Sequence, residues 1–282
     1  MMLLGVIGWP ISHSRSPAMH TAAIEALGLD ASYVPMAVRP EDLPEAIAGL
    51  RALGFRGVNA TLPHKRALLE LLDEVDESAQ AIGAVNTVVF ERGRCLGSNT
   101  DAAGMVAALA EGGVTLTDAR VVILGAGGAA RAAAHGAVRE DAFSVHVASR
   151  RAEQAAEAAA TIIPYAGACH LSSGDLAHLT SLRSAFESAD VVIQATSATL
   201  GDSEAADAFA AALPIDALPA GSCVFDMVYA PRRTSVLRAA DARGLRCVGG
   251  LGMLLHQGAL AFEAFTGKPA DIDAMRAALE SA

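Results

Sequence analysis

Lysine is nearly missing from this chain. Of its 21 lysine and arginine residues only Lys65 and Lys268 are lysine, and a lysine ammonium, unlike a guanidinium, can exchange a proton near neutral pH. Cysteine is also sparse: Cys95, Cys169, Cys223 and Cys247 are widely separated, with no C-x-x-C pair. That spacing argues against a disulfide framework and against a zinc site, so reduced thiols in a cytoplasmic protein and no bound metal are expected. No apolar run approaches the ~18 residues that a membrane-spanning helix requires. The opening MMLLGVIGWP carries no basic n-region and turns at Gly8-Trp9-Pro10, so it reads as a buried strand and not as a signal peptide. Positive charge is in deficit too. The net charge is −10 with no basic stripe to offset it, which argues against a nucleic-acid partner.

What is present is a folded α/β pattern. Hydrophobic residues make up 52% and charged residues 18% of 282, a balance suited to one or two packed domains. Strands are expected at Leu3–Gly8, Ser32–Val38, Gly57–Thr61, Val85–Glu91 and Arg94–Ser98, the last two as a hairpin across Gly93. Helices are expected from Ser16 to Leu27, after Pro40, and from Ala67 onward. From Val121 a regular βαβ alternation follows, with strands at Val121–Leu124, Ser144–Ala148, Val191–Gln194, Cys223–Met227 and Leu245–Val248. That rhythm predicts a parallel sheet. Leu200–Ala220 reads as a surface helix and loop, and Met253–Phe265 and Ile272–Glu280 as closing helices that pack back on the first domain.

The string RVVILGAGGAARAAA, Arg120–Ala134, joins an apolar strand to an alanine-rich helix through a glycine-rich turn. Gly125 permits the turn, Gly127 lets the backbone approach a pyrophosphate, and Ala130 lets helix and strand pack closely. Gly128 and Ala129 complete a helix N-terminus that presents N–H groups and positive dipole to phosphates. At the end of the next strand, where a carboxylate ~20 residues after the first glycine would select NAD, stand Ser149, Arg150 and Arg151. Two guanidiniums and a hydroxyl, with no carboxylate to repel it, suit a 2′-phosphate, which makes NADP the expected cofactor.

The first half concentrates polar groups at strand ends, where open α/β sheets bind ligands. ISHSRSPAMH holds Ser14 and Ser16 beside a helix start, with Ser16-Pro17 suited to the N-cap and N1 positions. GVNATLPHK places Asn59 and Thr61 on one side of a strand and Lys65 just beyond it; GAVNT adds Asn86, and LGSNTD adds Asp101, itself also a candidate N-cap.

Together the strings SHSRSP, NATLPHK, GAVNT, NTD, GAGGAA, SRR, ATS, FDMVY and GLGMLLHQ closely resemble the shikimate dehydrogenase family, in the family's order and over most of the chain. The resemblance implies an N-terminal α/β substrate domain and a Rossmann NADP-binding domain, with C-terminal helices returning to the first. Expected boundaries are 1–103 with 252–282, and 104–251. It implies reversible reduction of 3-dehydroshikimate to shikimate in aromatic amino-acid biosynthesis, by a monomer or homodimer. Lys65 and Asp101 would form the acid–base pair. Ser14 and Ser16 would hold the substrate carboxylate, and Asn59, Thr61, Asn86, Asp101, Tyr229 and Gln257 the ring hydroxyls. Thr196, Ala126, Met227 and Gly250 would join the cofactor site, the last two near the nicotinamide. Departures from the family pattern are Trp9 and Thr21 for asparagine, Ala60 for valine, Ala102 for glycine, SRR for N-R-T, and QATSATL for N-A-T-S-x-G-M. Quinate or amino-shikimate dehydrogenases of the same fold, and a non-catalytic NADP-binding sensor, are the competing readings.

Overall fold

Buried side chains alternate along β1 (Met2–Gly8): Leu4 and Val6 point to one face, Ile7 to the other. Such a strand needs cover on both sides, and its neighbours supply it. After α1 (Ser16–Ala26), β2 (Ala31–Ala37) pairs parallel with β1; after α2 (Leu43–Ala52), β3 (Gly57–Ala60) pairs parallel on its other edge. The chain continues through β4 (Glu74–Val75), α3 (Glu77–Ile82), β5 (Thr87–Glu91) and β6 (Arg94–Ser98), giving a six-stranded mixed sheet in the order β2-β1-β3-β5-β6-β4. β5 and β6 are the antiparallel hairpin the sequence predicts, turning through Arg92 and Gly93 at φ 51° and 77°. Leu43, Ile47 and Leu50 of α2 close one face over Ile7, Val58, Ala60 and Val88.

This structure, a computed structural model, describes residues 1–281. The chain divides into two units, Met1–Thr100 with the segment from Leu255 onward, and Asp101–Leu254. The second opens with α4 (Asp101–Glu111) and alternates β7 (Arg120–Leu124), α5 (Gly128–Arg139), β8 (Ser144–Ser149), α6 (Ala152–Ile162), β9 (His170–Asp175), α7 (Leu179–Glu187), β10 (Val191–Gln194), α8 (Glu204–Ala212), β11 (Cys223–Asp226), α9 (Ser235–Asp241) and β12 (Arg246–Gly249). All pairs are parallel, in the order β12-β11-β10-β7-β8-β9. This is the doubly wound Rossmann arrangement, which reverses direction at the first strand of the unit. The period of two divides its core: Val121, Ile123, Val145, Val147 and Ile193 pack against Ala130, Ala133 and Ala137 of α5. Val122, Leu124, Val192 and Val224 pack against Leu182, Phe186 and the α9 residues Val236 and Leu237.

Helix α10 (Gly250–Thr266) carries the chain out of the second unit, and its later residues with α11 (Ile272–Ser281) belong to the first. Phe265 explains Gly57: a Cβ there would lie 2.1 Å from the Phe265 ring. Arg56 Nε donates to the Phe265 carbonyl at 3.1 Å, and Arg15 Nη1 to that of Leu279 at 3.3 Å.

Two expectations are corrected. Ala67–Leu72 does not continue into a helix but makes a single 3₁₀ turn, Ala67–Glu70. The chain is captured instead by the sheet, with the Asp73 carboxylate accepting the Cys95 N–H at 2.7 Å and β4 pairing with β6. Ser16 is the first helical residue of α1 and not its N-cap, a position held by Arg15 without a side-chain cap. The edge strand β9 and the short helices α3 and α7 lie in stretches without a sequence expectation; in β9 only Leu171 is an aliphatic side chain.

Candidate functional site

In the first unit the polar residues singled out by sequence meet at the strand ends, and most are already hydrogen-bonded. Asn59 is buried on β3. Its Nδ2 donates to the Asn86 carbonyl and to Thr87 Oγ1, both at 3.2 Å, while its Oδ1 accepts the Tyr33 hydroxyl at 2.8 Å. Both amide protons are thus spent, and one lone pair on Oδ1 remains, so Asn59 can accept a hydrogen bond from a ligand hydroxyl but not give one. Asn86 is a clamp. Its Oδ1 accepts the Thr87 hydroxyl at 2.8 Å and the Thr100 N–H at 2.9 Å, and its Nδ2 lies 3.0 Å from Thr100 Oγ1 and 3.5 Å from Gln257 Oε1. It ties the start of β5 to the loop before α4 and to α10.

Thr61 leaves β3 with its N–H on the Ile7 carbonyl at 2.9 Å, and His64 beyond it donates its own N–H to the Thr61 carbonyl at 3.0 Å. The following Lys65 is held by its backbone, whose carbonyl accepts the Val85 N–H at 2.8 Å. That bond ties the lysine main chain to the GAVNT segment. Ser14 Oγ accepts the Ser16 N–H at 3.3 Å, which leaves the Ser14 proton for another acceptor. Asp101 is buried at the start of α4, and Tyr229 is half-buried in the loop after β11.

Two residues outside the predicted site organise this region: Tyr33, and His20, which the sequence suggests as polar packing or a local hydrogen-bonding residue. Tyr33 reaches from β2 to Asn59; burial pushes its phenol well above the ordinary tyrosine range, with the Ser16 hydroxyl pulling partly back. Its ring stacks on His20 at 4.1 Å and 2°. His20 is fully buried, with neither ring nitrogen hydrogen-bonded, and burial lowers its pKa to about 3. The folded protein therefore holds a neutral imidazole while the unfolded chain takes up a proton below about 6.5. Stability from this residue is fully present above pH 6.5 and is lost progressively down to about pH 3. Between pH 6.5 and 4.5 the loss is expected to be about 2 kcal/mol. Denaturant unfolding of His20→Phe, which keeps a ring against Tyr33, should show that much less acid sensitivity than the parent; equal acid losses would refute the assignment.

The second unit builds a separate groove of about 440 Å³ whose walls include Gly125, Ala126, Ser149, Arg150, Arg151 and Thr196. The glycine-rich turn and the basic loop therefore line one concavity. Gly125 has φ +118°, and a Cβ on it would sit 3.1 Å from the Ala195 carbonyl oxygen. Gly127 faces open space, and no acidic residue occupies the first turn of α5. Nothing blocks an anion from the Gly128–Ala129 end of that helix. Arg150 and Arg151 are exposed, whereas Ser149 is buried and committed: its hydroxyl donates to the Arg151 carbonyl at 2.7 Å and accepts the Arg151 N–H at 3.2 Å. Ser149 shapes the loop, and the guanidiniums carry its charge. The residues fit a dinucleotide with an extra phosphate.

Gln154, Leu176, Ala205 and Phe209 also line the groove and were not anticipated. Phe209 lies in the segment read as surface helix; only the tertiary fold turns it toward Thr196. Gly250 plays a steric part, since a Cβ there would come within 2.2 Å of the Met227 carbonyl oxygen. Among the described residues no helix is long and apolar enough to cross a membrane, and no cluster of three or more His, Cys, Asp or Glu is placed to hold a metal ion.

Comparison with known proteins places these features in a family. The model described as shikimate dehydrogenase substrate binding domain matches residues 6–88. That for shikimate / quinate 5-dehydrogenase matches 108–201, and that for the shikimate 5'-dehydrogenase C-terminal domain 250–280. A shikimate dehydrogenase (NADP(+)) of Citrifermentans bemidjiense is 45% identical over 264 residues, covering 93% of this chain and 89% of its own. The structure of shikimate 5-dehydrogenase from Thermus thermophilus in complex with NADP(H) and shikimate is 40% identical, with a TM-score of 0.86 over 100% of this chain and 99% of its own. A quinate dehydrogenase from Corynebacterium glutamicum in complex with NAD is 33% identical, with a TM-score of 0.89 over 100% and 99%.

Proposed function

The chain belongs to the shikimate dehydrogenase family, and on that premise we propose how its two units divide the work. It is an NADP-dependent oxidoreductase that interconverts shikimate and 3-dehydroshikimate. The first unit holds the cyclic hydroxy acid and the second holds NADP. The observation that carries the cofactor assignment is the groove in which the glycine-rich turn and two exposed guanidiniums stand together. Backbone N–H groups of Gly127–Ala129 hold the pyrophosphate, and Arg150 and Arg151 hold the 2′-phosphate.

When bound, NADP supplies or accepts the hydride at the ring carbon. The protein's own task is the proton at oxygen. Lys65, as an ammonium, donates to the carbonyl oxygen during reduction and takes the hydroxyl proton back during oxidation. Its positive charge stabilises the developing alkoxide. The Asp101 carboxylate is the other member of the acid–base pair. Ser14 and Ser16 hold the substrate carboxylate. Asn59, with its single spare lone pair, accepts from a ring hydroxyl; Thr61, Tyr229 and Gln257 bind the others.

Absorbance of reduced nicotinamide with shikimate or quinate, each paired with NADP⁺ or NAD⁺, tests the reading. Reduction led by shikimate with NADP⁺ is expected. Turnover led by quinate or by NAD⁺ would overturn the substrate or cofactor assignment, and silence in all four would remove catalysis altogether.

A further inference from the structure

Two loops of the second unit, one of which lines the groove through Thr196, are joined beneath the surface by a side chain that no other part of the mechanism uses. Leu124, Gln194 and Asp226 are register partners at the ends of β7, β10 and β11, each one residue before a loop. Gln194 and Asp226 are both wholly buried, as are Thr199 and Thr234 beside them. Burial without compensation would be costly for an amide and more so for a carboxylate, so every bond matters.

Gln194 Oε1 accepts both the N–H and the hydroxyl of Thr196, each at 2.6 Å. Its Nε2 faces the Thr196 carbonyl at 3.0 Å, Thr199 Oγ1 at 2.9 Å and Asp226 Oδ1 at 3.2 Å. Asp226 in turn accepts the Val228 N–H at 3.0 Å on Oδ1 and the Thr234 hydroxyl at 2.7 Å on Oδ2. Thr234 is the N-cap of α9. One amide and one carboxylate therefore close both loops on themselves and on each other. Burial raises the Asp226 carboxyl above its usual range, and the donors from Thr234, Val228, Thr199 and Gln194 oppose that shift.

We propose that Gln194 is a positioning residue that, through Asp226, holds the loops beginning at Ala195 and Met227 in the one arrangement that receives the cofactor. Gln194 both folds back to Thr196 and crosses to Asp226. Thr196 cannot offer its hydroxyl to a ligand while it is given to Gln194, so its contribution to the groove is shape. The link to NADP rests on the function proposed above, whereas the pinning of the loops does not.

Backbone amide exchange of the ligand-free protein and calorimetric titration with NADP⁺ are measured on the parent, Gln194→Leu and Gln194→Glu. In each variant the Thr196 and Val228 amides should exchange about 10-fold faster or more, with β7 unchanged, and NADP⁺ should bind about 10-fold more weakly. Parent-like exchange in a folded Gln194→Leu or Gln194→Glu would overturn the pin. A parent protein that binds no NADP⁺ would remove the cofactor reading and leave the exchange comparison to decide the pin alone.

Discussion

Lys65→Ala is expected to lower kcat by about 10²–10⁴-fold, the range for loss of a general acid–base group. Lys65→Met is the sharper form of the test, since it keeps most of the aliphatic stem and deletes only the ammonium. The proton that reaches the ketone oxygen must come from a group that can both give and regain it, and among 21 basic side chains just two are lysines. Arginine cannot serve, because it holds its proton at any working pH. Lys268 lies in the exposed turn after α10. The loss should fall on kcat with little change in the binding of shikimate or NADP⁺, as expected for an interaction made in the transition state. A variant that turns over at near-parent rate would remove Lys65 from the chemistry.

Removing Arg150 and Arg151 together should produce the second large effect. Each charge-assisted bond to a phosphate contributes about 1.5–3 kcal/mol, so the double alanine variant should bind NADP⁺ about 10²–10⁴-fold more weakly. NAD⁺, which lacks the 2′-phosphate, should be nearly unaffected. The discriminating quantity is therefore the ratio of the two dissociation constants, measured at one salt concentration because exposed charges are screened. Equal losses for both nucleotides would mean that the arginines act on the pyrophosphate or on the fold. The Ser149 hydroxyl is fully engaged with Arg151, so Ser149→Ala should disturb the loop without removing a phosphate donor.

Much of this protein was legible in its sequence because the signals are local. The βαβ rhythm after Val121 and the glycine positions at 125 and 127 follow from strand periodicity and from backbone freedom at a turn, and Gly125 does adopt φ +118°. The hairpin at Gly93 and the basic loop after β8 are local in the same sense. Where neighbours in sequence were not neighbours in energy, the reading stopped short. The apolar run Ala67–Leu72 has a helical look, yet a carboxylate at Asp73 and a two-residue strand recruit the chain to the sheet. Ser16-Pro17 has the form of a cap, yet the helix starts one residue earlier in its hydrogen bonding.

The polar residues show the same division. Sequence alone determined which groups are present: one lysine just beyond a strand, amides and hydroxyls at strand ends, and guanidiniums with no carboxylate in the loop after β8. What each amide can still do was decided by tertiary structure, because a hydrogen bond spends a donor or a lone pair. Tyr33, 26 residues before Asn59, leaves that amide a single acceptor site. Asp226, 32 residues after Gln194, turns a departure from the family pattern into a bridge between two loops. Chemical identity is carried by the residue itself, but the direction and availability of its bonds are properties of the partners that folding brings to it.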